Sequence, residues 1–164
     1  MPRGVAEQSP PLRFALHGML LRKLAVDWAP PPTELVGKPY DPPSVRIGLS
    51  LTPAAGKVFE VELAFALGLD AAHATGYRIE AVQTALCVIE GEGSTGEVER
   101  LAAVNGATVL YGALRGQLSS LLGAFPGGTL TLPAIYMAQV WEAQLRTPKP
   151  KPPLARRKSG SKAG

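Results

Sequence analysis

The residues of this chain that could do chemistry are few and lie far apart. Its two histidines, His17 and His73, and its single cysteine, Cys87, fall in different segments. One cysteine cannot form an internal disulfide, and no carboxylates pair at a metal-ligand spacing, so we expect no metal site. The pair Ser119 and Ser120 falls within a helical pattern, whereas a serine nucleophile usually sits on a strained turn.

Nucleotide and RNA chemistry are equally poorly supported. The stretch "GEGSTG" follows a strand pattern but lacks the lysine of a phosphate-binding loop. The ten aromatic residues do not alternate with basic residues along a strand, which argues against an RNA-binding sheet. We therefore expect neither enzyme activity nor a cofactor, and a function based on surfaces.

The positive net charge of +4 belongs to the C-terminal end of the chain. Six of the 17 Lys and Arg residues lie in residues 147–164, which contain no acid, so 11 basic and 13 acidic residues remain elsewhere. This segment is rich in proline and lacks aromatics, which predicts a disordered basic tail. It carries no recognisable binding pattern, and we expect no nucleic-acid partner.

The length of 164 residues predicts one main domain. No apolar run approaches the roughly 20 residues that span a bilayer, and the first residues lack a hydrophobic signal core, so we expect no membrane span and a cytoplasmic protein. We divide the chain into a flexible N-terminal segment (1–16), a folded domain (17–146) and the basic tail (147–164).

Four segments alternate apolar and polar residues and predict β-strands: residues 17–28, 44–51, 58–69 and 76–90. In the first segment, the even-numbered positions are expected on one face of the strand. They are the apolar residues Leu20, Leu24, Val26 and Trp28, with Arg22 the exception. Between the first two strands, residues 29–43 contain six prolines and predict a long extended crossover loop. The pattern as a whole favours a four-stranded antiparallel sheet.

Two main helices are predicted after the strands. Ser94 and Glu97 form a capping-box pattern that opens a short helix, Asn105-Gly106 interrupts it, and a longer helix follows over residues 107–124. Its predicted buried stripe consists of Leu110, Leu114, Leu118, Leu121 and Phe125. A final helix is predicted over residues 135–146, with Pro133 suited to a first helical position.

A second stripe on the long helix consists of small residues, namely Gly112, Gly116, Ser119 and Gly123. Each glycine costs a helix roughly 1 kcal/mol relative to alanine, so several in one register call for a packing reason. One interpretation is a close helix contact, including one between subunits. The other is that these are surface glycines tolerated in a glycine-rich sequence.

Taken in order, these elements resemble the SecB family of bacterial export chaperones. "APPPTELVGKPYDPP" is similar to the family's proline-rich crossover, and "VFEVELAFAL" to its third strand. "VLYGALR" is similar to the start of its long helix, with Arg115 matching and Gly112 where the family has proline. "LTLPAIYMAQV" is similar to the connection and start of its last helix. The resemblance covers roughly Leu20 to Leu145.

The resemblance implies an α+β fold in which a long Pro-rich crossover joins the first two strands and two main C-terminal helices pack on one face of the sheet. It implies an ATP-independent holdase that binds unfolded polypeptides or preproteins in apolar grooves, with protein export and translocation as the process it would serve. The groove residues expected from it are Leu35, Val36, Tyr40, Tyr136, Val140 and Trp141. It also implies a homotetramer, a dimer of dimers, with the Gly112, Gly116, Ser119 and Gly123 stripe at the interface.

The same resemblance makes the SecA motor a possible partner. Glu80 matches an acid of the family's motor-docking face, whereas Leu24 and Trp28 stand where its first-strand acids would be. SecB-like chaperones also occur beside toxin-antitoxin modules, where the client is the antitoxin. A chaperone dedicated to one such partner is therefore the alternative to a general holdase.

Overall fold

The structure, a computed structural model, describes residues 10–30, 44–68 and 76–146. It confirms the α+β fold, with an antiparallel sheet of four strands and two helices. The strands are β1 (Arg13–Trp28), β2 (Val45–Ala55), β3 (Val58–Leu67) and β4 (Tyr77–Glu90), and the helices are α1 (Thr95–Leu122) and α2 (Met137–Arg146). Residues 31–43 of the expected crossover loop and the tail (147–164) lie outside the described residues.

The strand order is β1-β4-β3-β2, so β1 and β2 are the two edges of the sheet. Strands β3 and β4 alternate as their sequences predict. Every second residue of β3, from Phe59 to Leu67, is buried against α1 and the core, and the residues between them are partly exposed on the opposite side. We call these two sides of the sheet the helix side and the open side.

Strand β1 does not keep one alternation along its length. Its pairing with β4 shifts by one residue between Leu16 and Gly18 and again between Leu21 and Lys23. Such a β-bulge moves the side chains beyond it to the other side of the sheet. As a result Leu20, opposite Thr84, lies on the open side. The prediction that one face of β1 carries Leu20, Leu24, Val26 and Trp28 together is therefore wrong.

The first strand also begins earlier than expected. Arg13 to Leu16 pair with Glu90 to Cys87, so they belong to β1 and not to a flexible segment. The reason lies in Phe14, which sits opposite the buried Ile89 and packs against the core. This apolar contact offsets the cost of ordering the chain at that point.

Helix α1 is continuous, and the break expected at Asn105-Gly106 does not occur. A Cβ atom on Gly106 would lie 2.8 Å from Cγ2 of Val61, so glycine is what permits the helix to approach the sheet here. The capping box is present, because Ser94 accepts the Glu97 N–H and Glu97 accepts the Ser94 N–H. The Ser94 hydroxyl, and after it the Ser94 N–H, donates to the Glu97 carboxylate, and these hydrogen bonds lower the pKa of the Glu97 carboxyl.

Two further helix details differ from expectation. In the buried stripe of α1, Leu122, which is fully buried, takes the place expected for Leu121, which is 38% exposed. Helix α2 starts at Met137, so Pro133 precedes it by a full turn and is not its first residue. The Pro133 carbonyl instead accepts a hydrogen bond from the Tyr111 hydroxyl at 2.7 Å, which holds the residues before α2 extended.

Candidate functional site

The connection between the helices is anchored to the core, and this fixes the position of α2. Leu130 and Leu132 are buried, and the Tyr77 hydroxyl donates to the Gly128 carbonyl at 2.6 Å. Burial raises the pKa values of Tyr77 and Tyr111, the two phenols that hold this connection. Helix α2 is thereby set against both α1 and the edge strand β2.

An apolar groove lies between strand β2 and helix α2. Its volume is about 320 Å³. The residues that line it are Val45, Ile47, Ile135, Val140, Ala143 and Gln144. Five of these six side chains are apolar, and the volume falls at the lower end of the range of ligand pockets, roughly 300 to 1,000 Å³. The groove can therefore accept apolar side chains without offering a charged partner.

The β2 wall of this groove is also an edge of the sheet. A strand at an edge turns every second N–H and C=O away from its neighbour, and those groups can pair with an added extended chain. The arrangement thus combines an apolar trough with backbone hydrogen-bonding groups. Chemically it can bind extended polypeptide. None of the described residues that line it is ionisable.

The groove residues expected from the sequence are brought together only in part. Val140 lines the groove, at half-burial. Tyr136 is 68% exposed just before α2, and Trp141 is half-buried; neither lines this groove. Leu35, Val36 and Tyr40 lie outside the described residues, and their role stays a prediction.

Sequence reasoning missed the β2 half of the groove, namely Val45 and Ile47, together with Ile135, Ala143 and Gln144 of the other wall. The alternation of β2 predicts that its apolar residues share one buried face. It does not reveal that part of this face stays open. The missing information was the strand order, which puts β2 at an edge and leaves that face partly open beside α2.

The small-residue stripe of α1 lies on the surface of the chain. Gly112, Gly116 and Ser119 are exposed, and Gly123 caps the helix just beyond Leu122. A Cβ on Gly112 or on Gly116 would meet no atom within 4 Å, so no part of the described chain requires glycine at either position. Gly112, Gly116 and Ser119, together with Arg115, form one side of a second groove of about 410 Å³, whose other side is the segment 129–132. The interface assigned to them stays a prediction.

A third feature is the apolar surface on strand β1. The exposed fractions of Leu16, Met19 and Leu21 are 39%, 49% and 37%, although their partners Cys87, Ala85 and Gln83 on β4 are buried. These three side chains therefore lie on the helix side of the sheet at a place that α1 leaves partly uncovered. Contiguous exposed apolar surface of this kind is typical of an interaction site.

Glu80, the expected motor-docking residue, lies on the open side of the sheet. Its carboxylate accepts a hydrogen bond from Lys23 at 2.5 Å and lies 3.9 Å from Arg78. The hydrogen bond and charge of Lys23 lower the pKa of the Glu80 carboxyl. The acid is therefore ionised at neutral pH and paired within the chain. A role of Glu80 in docking SecA stays a prediction.

The described residues contain no candidate metal site and no helix that could span a membrane. Among residues 10–30, 44–68 and 76–146, no three His, Cys, Asp or Glu side chains come together as a metal site would require. Neither α1 nor α2 is both long enough and apolar enough to cross a membrane.

The comparisons with known proteins identify the fold. No protein-family model matches the chain, and no curated protein matches its sequence. Among solved structures it is similar to the SecB-like chaperone Rv1957 of Mycobacterium tuberculosis, which was solved in complex with a ChAD peptide from the HigA1 antitoxin Rv1956. That match covers 75% of this chain and 91% of the other, at 20% identity and a TM-score of 0.53. The fold is therefore SecB-like.

A protein of unknown function from Streptococcus agalactiae is also similar to this chain. Its TM-score is 0.45 and its sequence identity 15%, over 76% of this chain and 100% of that one.

Proposed function

We propose that this protein is an ATP-independent chaperone that binds unfolded polypeptide in the groove between β2 and α2. The observation that carries the proposal is the apolar lining of that groove beside an edge strand, on a SecB-like fold. Binding draws on apolar burial, worth about 25 cal/mol per Å² of apolar surface, and on pairing of the client backbone with the strand edge. Neither contribution requires a particular client sequence or a catalytic group.

Dedication to a single partner is the second candidate, and one observation favours it. The structural neighbour Rv1957 is bound to a peptide of an antitoxin. We propose that an antitoxin of a toxin-antitoxin module is the partner in this case. The two functions differ in client range, because a dedicated chaperone protects one protein and a general holdase protects unrelated ones.

We further propose that the chain forms a homo-oligomer, a homotetramer in keeping with the SecB resemblance. Two surfaces support this proposal. Strand β1 carries the exposed apolar residues Leu16, Met19 and Leu21 on the helix side of the sheet, and the outer surface of α1 carries the small-residue stripe. From Leu101 to Leu122 that helix has a single charged residue, Arg115, which leaves its exposed side suited to packing against another copy.

The experiment that tests the proposed function is suppression of aggregation, followed by light scattering of a heat-denatured client protein. The wild-type chain should lower the scattering, and a Val140→Asp variant should require at least about tenfold more protein for the same effect. The reason is that an unpaired carboxylate buried under a bound client costs several kcal/mol. Val140 is only half-buried, so the fold should tolerate the change.

The matched control is Gln139→Asp, which places the same carboxylate on an exposed position of α2 outside the groove. Its activity should equal that of the wild type. If Val140→Asp protected the client as well as the control does, the groove would not be the binding site. Repeating the assay with several unrelated clients separates a general holdase from a chaperone with one partner.

A further inference from the structure

The backbone edge of β2 is already occupied at one position. The Leu49 N–H donates to the Oε1 atom of Gln144 at 3.2 Å, a contact between residues 95 positions apart in the chain. Gln144 belongs to the last turn of α2 and also lines the apolar groove. Its side-chain oxygen therefore takes the place that a backbone carbonyl of an added strand would take.

The regular pairing of β2 with β3 shows which other groups share this orientation. Between Val45 and Pro53 the pairing has no shift, so Val45 and Ile47 turn their N–H and C=O groups the same way as Leu49. Pro53 belongs to the same alternate set, and it has no N–H to offer. Proline is tolerated on the outer side of an edge strand, which agrees with this assignment.

We propose that Gln144 is a specificity-determining residue that ends the strand-pairing surface of β2 at Leu49. The inference rests on the proposed function, and it names the form in which the client binds. The client is an extended, uncharged apolar segment that pairs with Val45 and Ile47 and places its side chains in the groove. Pairing beyond Ile47 meets the Gln144 side chain, so the bound segment is short.

The chemistry of the site favours this occupant over a folded surface or a helix. A helix satisfies its own backbone groups and would leave the edge groups of Val45 and Ile47 unpaired beneath it. An extended chain supplies partners for both while its alternate side chains enter the apolar trough. Among the described residues, those that line the groove carry no charged side chain, which disfavours a charged segment.

The test replaces Gln144 by methionine, which keeps the length of the side chain and removes its acceptor. The probe is reduced and carboxymethylated lysozyme, a permanently unfolded chain. Amide hydrogen exchange by NMR should show that this probe protects Val45 and Ile47 in the wild type, and Leu49 as well in Gln144→Met. One added hydrogen bond should tighten binding by about two- to tenfold.

The matched control is Gln139→Met, the same substitution on an exposed position of the same helix, which should leave both readouts unchanged. Without the probe, the Leu49 amide should exchange faster in Gln144→Met than in the wild type or the control. The proposal is overturned if bound lysozyme alters Leu49 exchange in Gln144→Met no more than in the wild type, or if the two proteins bind it equally well.

The outcome also distinguishes this inference from the proposed function. A wild-type protein that suppresses aggregation while no β2 amide becomes protected would keep the chaperone function and overturn strand pairing at this edge. A protein that neither suppresses aggregation nor binds the unfolded lysozyme would overturn both.

Discussion

The glycines on α1 allow a direct test of whether the small-residue stripe contacts a second copy. The perturbation is the double substitution Gly112→Ala and Gly116→Ala. Each new Cβ would meet no atom of the described chain within 4 Å, so the subunit itself can accept both without strain. Both residues are exposed and lie within the regular part of α1.

The magnitude follows from helix propensity. Alanine is more favourable than glycine in a helix interior by roughly 0.8 to 1.0 kcal/mol, so the two substitutions together should stabilise an isolated subunit by about 2 kcal/mol. For a domain of this size that corresponds to an increase of about 4 to 8 °C in Tm. If another copy packs closely on the stripe, two methyl groups inserted into the contact should instead separate the helices.

The assay combines native mass, by analytical ultracentrifugation, with thermal unfolding at several protein concentrations. We expect the wild type to sediment as an oligomer and the double variant to have a lower mass and a Tm that depends less on concentration. Gly96→Ala is the control, since Gly96 lies on the same helix, away from the stripe, and a Cβ there would also meet nothing. A double variant with raised Tm and unchanged oligomeric mass would refute the assignment of the stripe to an interface.

The remaining predictions concern the core and the surface charges. Gly106→Ala should destabilise the protein in urea unfolding, because its Cβ would lie 2.8 Å from Val61; overpacking costs about 1 to 3 kcal/mol and exceeds the propensity gain. Leu114→Ala removes a fully buried side chain and should lower the free energy of unfolding by about 2 to 5 kcal/mol; a loss below 1 kcal/mol would contradict its place in the core. Lys23→Met should raise the pKa of the Glu80 carboxyl in an NMR titration, since Lys23 lowers it in the folded state. Because that pKa is depressed, the ion pair stabilises the fold at pH values above the ordinary carboxyl pKa of about 4.3. This contribution is lost as the pH falls through the lowered pKa. A Glu80 titration that is unchanged in Lys23→Met would contradict this pairing.

The sheet was predictable where a strand is buried on one side without interruption. The alternation from Phe59 to Leu67 identifies β3, its period of two and its buried face, because each inward residue packs on the core. Strand β1 shows the limit of that reasoning. Gly18 and the charged Arg22 interrupt the apolar pattern at the two shifts, but pairing with β4 decides that each is a bulge, and that pairing is not a local property of the sequence.

The helices show the same distinction between local and distant causes. The capping box at Ser94 is a local pattern and was predicted, because its partners are three residues apart. The reason for a glycine within α1 lies in Val61 of the sheet, which leaves no room for a Cβ atom at position 106, and a helix pattern cannot reveal that contact.

The candidate groove depends even more on distant contacts. Val140 was predicted as a groove residue from the resemblance to the SecB family, but its partner wall of Val45 and Ile47 belongs to a strand far away in the sequence. Only the strand order and the position of α2 bring the two walls together. The residues of the crossover expected to join them lie outside the described part of the chain.

The two bulges of β1 determine which changes in length this strand tolerates. Removing His17, the extra residue of the first bulge, would leave Leu16 opposite Cys87 and Gly18 opposite Leu86, each on its present side of the sheet. Removing Ala15 would instead rotate the residues before it, so Phe14 would leave the core and Arg13 would enter it. A guanidinium directed at Ile89 would then have no acceptor among the apolar residues around it. A single-codon deletion at Ala15 should thus be more harmful than one at His17.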